Sequence, residues 1–163
     1  MEKDYKFYID NLGLQEHQEG GYYKETYLSD EKIKLEDGRV RSLSSNILFL
    51  LTANNPSRFH RLKSDELWFY HTGKSLTIHM IFPSGEYHKV KLGRGAGELF
   101  QYTVPKGVIF GSTVCGEGDD FSLVGCVVTP AFHYDDFELF TQEELLDIYP
   151  DSKNIIEKLT YKN

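Results

Sequence analysis

Residues 59–73 read FHRLKSDELWFYHTG: a histidine, His60, then a glutamate six positions on, Glu66, and a glycine seven beyond it, Gly73. Lys63-Ser64-Asp65 is turn chemistry between two short extended runs. Side chains alternate across a strand, so Glu66, Trp68 and Tyr70 share one face, and His60 and Leu62 share a face of the run before. A hairpin at Lys63–Asp65 lays the two faces over one another and aims an imidazole and a carboxylate at the same space. Each is costly to bury alone. The pair therefore either satisfies itself inside a core or serves a site.

Outward from this stretch the chain is a series of short strands. Phe59–Leu62, Glu66–His71, Leu76–Phe82, Tyr87–Leu92, Leu99–Val104, Val108–Val114 and Phe121–Val128 are separated by clusters of Pro, Gly, Asn, Asp and Ser. The period is also two from Tyr22 to Leu28, and Glu36-Asp37-Gly38-Arg39 signals a turn. The run Asn46–Thr52, NILFLLT, is apolar on both faces and needs cover on both, in the middle of a sandwich or across an oligomer interface. Helical spacing is confined to the ends. Tyr5, Tyr8, Ile9 and Leu12, followed by Gly13, predict a helix over about 3–12. Thr141-Gln142-Glu143-Glu144 has the form of a capping box, Pro150 interrupts, and Ile155, Ile156 and Leu159 continue a helical segment over about 141–160. The expectation is one all-β domain over 1–163, its core at about 21–140, with short peripheral helices at both termini.

Composition narrows the function. The 163 residues are 40% hydrophobic and 14% aromatic, enough for one core and an aromatic pocket lining. A net charge of −7 argues against a phosphate-backbone partner, so no nucleic acid is expected; Arg58, Arg61 and Lys63 are the one local basic group. MEKDYKFYID lacks the apolar stretch of a secretory signal and no run is long enough to span a bilayer, so no membrane partner and a cytoplasmic location are expected. Cys115 and Cys126 lack metal or redox spacing and read as structural thiols. Asp135-Asp136-Phe137-Glu138 lacks the glycine and oxygen spacing of a calcium loop and reads as a solvated loop. Gly93-Arg94-Gly95-Ala96-Gly97 leads into a strand, whereas phosphate cradles open a helix.

His60, Glu66 and Gly73 fall on the first, third and last positions of the pattern His-x-His, three or four residues, Glu, six residues, Gly, with Leu62 at the second histidine. Pro105-Lys106-Gly107 matches a Pro-x-Gly turn that precedes a last histidine, where this chain has Phe110. In these motifs the chain resembles the cupin superfamily. With EGGYYKETY (19–27) and VTPAFHYDDFEL (128–139) it is most similar to a small single-domain, Cupin_5-type subgroup of largely unassigned function, over roughly residues 14–140. TVPKGVIFGSTV (103–114) is more distantly similar to the Ile-Pro-x-Gly-x-x-His-Gly strand of the deoxythymidine-diphosphate-sugar 3,5-epimerases, which work without metal. The resemblance implies a double-stranded β-helix, the jelly-roll barrel, holding a small ligand. It also implies that the tyrosine-rich strand Tyr22–Leu28 can cross to a neighbouring subunit, although a plain edge strand fits equally. That strand and Asn46–Thr52 are expected at a homodimer interface.

Leu62 and Phe110 replace two of four metal donors, so no metal and no other cofactor is expected; His60 and Glu66 are the remaining candidate ligands. Without metal, a carboxylate that orients an imidazole makes a general base. The candidate catalytic residues are His60, Glu66 and Tyr70, and the candidate ligand-binding residues are Trp68, His79, Tyr102, Phe110 and Ser112. Three functions stay open: a metal-independent isomerase or epimerase acting on a small sugar-like or keto-acid-like ligand, a non-catalytic small-molecule binder, and a metal-dependent oxygenase or isomerase with an incomplete ligand set.

Overall fold

In the computed structural model, which describes residues 3–162, the chain opens with helix α1 (Tyr5–Leu12) and strands β1 (Gln15–Glu16), β2 (Tyr22–Leu28), β3 (Lys32–Lys34), β4 (Val40–Ser42) and β5 (Ser45–Thr52). It continues through β6 (Ser57–Arg61), β7 (Asp65–Gly73), β8 (Leu76–Ile81), β9 (Tyr87–Leu92), β10 (Gln101–Val104), β11 (Ile109–Val114) and β12 (Phe121–Thr129). A 3-10 turn at Tyr134–Asp136, β13 (Glu138–Leu139), α2 (Gln142–Ile148), a second 3-10 turn at Pro150–Ser152 and α3 (Lys153–Lys158) complete it. One sheet has the order β1-β2-β5-β12-β7-β10 and the other β13-β6-β11-β8-β9, while β3 and β4 form a separate hairpin. This is a jelly-roll sandwich, all-β as the strand pattern predicts and of the type that the resemblance implies.

The alternation of side chains decides what lies between the sheets. Phe49, Leu51, Trp68, Ile78, Met80, Phe110, Val124 and Cys126 point inward into one buried cluster. The outer faces are apolar as well, and the chain ends cover them. Leu48, Leu50 and Leu123 on the outside of the first sheet meet Tyr5, Tyr8, Ile9 and Leu12 of α1. NILFLLT thus finds its second cover within its own chain. Phe59, Ile81 and Ile109 on the outside of the second sheet meet Leu145 of α2, Ile156 of α3 and Leu159.

Capping fixes the helix positions. Asp4 accepts a hydrogen bond from the Phe7 amide at 2.9 Å, and Gly13 ends α1 in the left-handed region. Thr141 and Glu144 form the capping box of α2.

Two expectations are corrected. Lys63–Asp65 does not close a hairpin: β6 pairs with β11 and β13, β7 with β12 and β10, so this turn carries the chain from one sheet to the other. His60 and Glu66 consequently face each other across the sandwich, which three polar turn residues allow as readily as a hairpin. The segment 135–138 is not a solvated loop either. Asp136 is buried and accepts two hydrogen bonds from the Arg41 guanidinium, at 2.8 and 2.9 Å, with Arg39 Nη1 at 3.1 Å. The hydrogen bonds to Arg41 hold the Asp136 carboxyl below the usual carboxylate range despite its burial.

This clamp ties β4 to the turn before β13, with Asp136 buried and Arg41 partly so. Breaking one side of such a pair leaves the other charge unpaired. Asp136→Asn is expected to destabilise the protein by roughly 3 kcal/mol, lowering Tm by about 6–12 °C for a domain of this size; thermal unfolding followed by circular dichroism measures it.

Candidate functional site

The space between the sheets opens at one end into a cavity of about 110 Å³. Its floor is acidic and basic at once: Glu19, His60 and Glu66 are 5%, 2% and 6% exposed. Cys126, Leu62 and Val128 complete the inner wall, His17, Tyr23 and Glu25 one side, and Phe132, Tyr134 and Phe137 another.

Glu19 reaches this floor through a tight turn. The His17 amide donates to the Gly21 carbonyl and the Gly20 amide to the His17 carbonyl, both at 3.0 Å, while the Glu19 carbonyl accepts from the Arg58 amide at 2.6 Å. Gly20 and Gly21 have φ of 110° and 73°. A Cβ at Gly20 would lie 2.0 Å from the Pro56 carbonyl oxygen, so only glycine lets the turn press this closely on the segment leading into β6.

His60 is fixed at both nitrogens. Its Nδ1 lies 2.7 Å from the Arg58 carbonyl, which can only accept, so Nδ1 carries a proton. Nε2 lies 2.7 Å from Glu19 Oε2. Burial opposes charge on the ring, but Glu19 outweighs it and raises the histidine above its ordinary value. Burial likewise opposes charge on Glu19, and His60, assisted by His17, brings it below the carboxylate norm. Imidazolium and carboxylate form a buried ion pair. The oxygen sits off the N–H axis, so Glu19 Oε2 has no well-aligned hydrogen bond among the described residues.

The neighbouring groups are neutral. Burial, reinforced by the charge of Glu19 and only partly offset by His60 and Cys126, pushes Glu66 up to about 8. At neutral pH Glu66 is therefore a carboxylic acid beside a carboxylate, which is the arrangement that gives two carboxyls separate acid and base roles. His17 accepts the Glu19 amide at Nδ1, 3.2 Å, and burial lowers its pKa. Tyr134, at the mouth, has its phenol pushed up to about 12 by burial, with the Tyr23 hydroxyl adding to it.

Of the candidate residues from the sequence, His60 and Glu66 come together at this cavity, but the carboxylate that holds the imidazole is Glu19 and not Glu66. Phe110 lies against His60 with ring centroids 4.2 Å apart. The remaining candidates do not line the cavity. Trp68 packs deeper, between Phe49 and Phe110. Tyr70 donates its hydroxyl hydrogen to the Gly73 carbonyl at 2.6 Å, and Tyr102 lies opposite Trp68 on β10. His79 is held by Tyr87 and Thr113 at 2.6 and 2.8 Å, and burial brings it down to about 4. Ser112 sits opposite Ser57 beside a bulge in the β11–β6 pairing. Arg58 lies over the Tyr161 ring and Arg61 pairs with Glu138, so the basic residues near the motif form no anion site together. Glu19 and His17 were missed because they lie more than 40 residues from His60 in a turn; the paired glycines after Glu19 were their only signal.

A metal of the kind cupins hold does not fit. Leu62 and Phe110 present hydrocarbon at two donor positions, both His60 nitrogens are engaged, and no group of three His, Cys, Asp or Glu side chains among the described residues is arranged for a metal ion.

Residues 6–140 match the family model described as Cupin_5, Cupin superfamily (DUF985). A Saccharomyces cerevisiae relative, the uncharacterized protein YML079W, is 29% identical over 153 residues, covering 85% of this chain and 76% of its own. Two solved structures superpose with TM-scores of 0.92: protein SO0799 from Shewanella oneidensis, 46% identical over 99% of this chain and 100% of that one, and a hypothetical protein from Leishmania major, 41% identical over 98% and 100%. Oxalate decarboxylase of Bacillus subtilis superposes with a TM-score of 0.56 at 14% identity, over 92% of this chain and 38% of that one, a likeness of fold alone.

The Glu66 pKa yields a prediction. Between pH 4.5 and about 8 the folded protein keeps a proton on Glu66 that the unfolded chain has released, so stability falls with rising pH across that window. The His60 contribution, from a pKa raised above 6.5, is complete below 6.5 and is lost as pH rises through the folded value. Burial of His17 and His79 acts in the opposite sense up to about pH 6.5. Melting curves should therefore show a falling Tm from pH 7 to pH 9, and Glu66→Gln should flatten that fall and raise Tm at pH 9 by about 5 °C or more. An equally steep fall in the variant would show that Glu66 is ionised throughout.

Proposed function

Given that the chain belongs to the Cupin_5 family of the cupin superfamily, we propose that its barrel binds a small polar organic ligand and transfers protons on it without metal, as an isomerase or epimerase does. The observation that carries this reading is the Glu19–His60 ion pair beside a protonated Glu66 at the floor of one cavity. A core needs neither an ionised pair nor a third acid next to it, since hydrocarbon of the same volume is usually as stable.

The chemistry follows from where the protons reside. Glu19 holds no proton and is the base; it accepts hydrogen from a carbon next to a carbonyl, and the electron pair of that C–H bond passes to the carbonyl oxygen. The His60 imidazolium, whose N–H groups are held by Glu19 and the Arg58 carbonyl, stabilises the charge on that oxygen through space and not by a hydrogen bond. Glu66, a neutral acid, returns a proton to the carbon as the enolate's electron pair re-forms the C–H bond and the carbonyl. Glu19 then gives its proton to water and Glu66 takes one from water, so both regain their starting states. Two groups of different proton affinity in one dry space are what a proton shift requires. The volume limits the ligand, because about 110 Å³ is well below the roughly 300–1,000 Å³ of sites for drug-sized molecules. A nucleotide sugar is too large for it, and a compound the size of a short-chain hydroxy or oxo compound is not.

Two-fold association is also part of the proposal. Tyr27 and Leu28 at the end of β2, Ile33 and Val40 on the β3–β4 hairpin and Leu43 just after it are exposed large apolar residues on adjoining segments. Apolar side chains left exposed on both faces of these segments are the support for an isologous dimer.

The activity is tested by incubating the protein in D2O with a panel of small oxo, hydroxy and amino compounds and following carbon-bound hydrogen by NMR. At least one compound that raises Tm should exchange a hydrogen beside its carbonyl, and Glu19→Gln should slow that exchange by about 100-fold or more. Compounds that bind without exchange would make the protein a binder only. For the dimer, light scattering should return twice 18.8 kDa, and a mass of 18.8 kDa would refute it.

A further inference from the structure

The charges around the cavity are uneven. Glu19, Glu25 and Glu66 line it, and neither lysine nor arginine does. The positive charge of His60 is already matched by Glu19 at 2.7 Å. Arg39 and Arg41, behind the Tyr134–Asp136 turn, are engaged by Asp37 and Asp136. Protonation of Glu66 removes one negative charge, and Glu25 at the rim leaves the cavity negative. An anion would enter against this field, whereas a cation is drawn by it.

A second, independent observation points to the same charge. Phe132, Tyr134 and Phe137 stand 5.0, 5.8 and 5.9 Å from one another with interplanar angles of 85°, 60° and 82°. Rings so inclined make a corner, and ring faces attract a positively charged nitrogen by their quadrupoles. The Glu19 Oε2 atom, buried in the same cavity, has no well-aligned donor among the described residues.

We propose that the ligand is a small organic cation, a primary or methylated ammonium ion, seated between the Glu19 carboxylate and the corner formed by Phe132, Tyr134 and Phe137. This rests on the reading of the cavity as a ligand site and adds the charge of what enters. Positive charge on the ligand also assists the proposed chemistry, because an ammonium group near a C–H bond makes that hydrogen more acidic. The aromatic corner selects the nitrogen, and the floor acts on the carbon beside it.

Isothermal titration calorimetry with three probes of nearly equal shape tests this: choline, the uncharged 3,3-dimethylbutan-1-ol and the anion 3,3-dimethylbutanoate. Choline is expected to bind about tenfold or more tightly than the alcohol, and the carboxylate more weakly than either. Tyr134→Leu, at a position 47% exposed and so tolerant of change, should cut choline affinity about fivefold or more and leave the alcohol within about twofold. Equal binding of choline and alcohol, or tightest binding of the carboxylate, overturns the charge assignment and leaves the ligand site standing. Absence of binding by all three at millimolar concentration overturns the cation as well, and the deuterium exchange experiment then decides separately whether the cavity takes any ligand.

Discussion

An ion pair removed from water has to be placed by structure that cannot give way, and in this chain that requirement falls on the contact between Glu19 and His60. The imidazole is anchored by the carbonyl two residues before it, so β6 alone fixes where Nε2 points. The carboxylate comes from a turn whose glycines allow it to lie against the segment 56–58. Neither partner tolerates a shift of an ångström, because the desolvation of two charges is offset only at short range. The jelly roll supplies the rigid part of this arrangement, and the residues that answer to one another come from opposite sides of it.

The electrostatics of the floor then follow from one another. Glu19 keeps its charge because His60 is charged; Glu66 loses its charge because it is buried, and the charge on Glu19 adds to that. Cys126, next in line, has its thiol pushed well above the normal range by burial and by these same carboxylates, which makes it an inert wall and not a nucleophile. A single change at Glu19 would therefore reset the protonation of three neighbours, and mutations here should be strongly non-additive.

The two-residue strands β1 and β13 are too short to show a period, and β3 and β4 showed only through the turn between them. The longer strands were legible in the sequence, because period-two alternation and turn residues are local signals. Both terminal helices were legible for the same reason, down to the capping box at Thr141. The pairing of strands was less so. Lys63–Asp65 looks like a hairpin turn, and nothing local shows that its two flanking strands belong to different sheets. The site was half visible. His60 and Glu66 stood out through their spacing, while the partner of His60 lay 41 positions earlier in the chain, in a loop-like stretch whose purpose appears only when folded. Asp136 was read as solvated from the acidic residues around it; its partner Arg41 is 95 positions away. Alternation along one strand also grouped Tyr70 with Glu66, but the cavity ends before the strand does.

The way the two ends of the chain cover the sheets has a consequence for how the protein comes to fold. Strand β5 finds its central neighbour β12 some 75 residues later, so the first sheet cannot be completed until most of the polypeptide has been made. Helix α1 is synthesised before either strand it covers, yet the surface on which it rests includes Leu123 and Phe121 from that later strand. An early-made segment must wait for a late-made one, and until then the apolar outer face of β5 lies open to solvent. Such distant pairings place the chain among slow folders, and the waiting interval is when newly made protein is most exposed to association through that face.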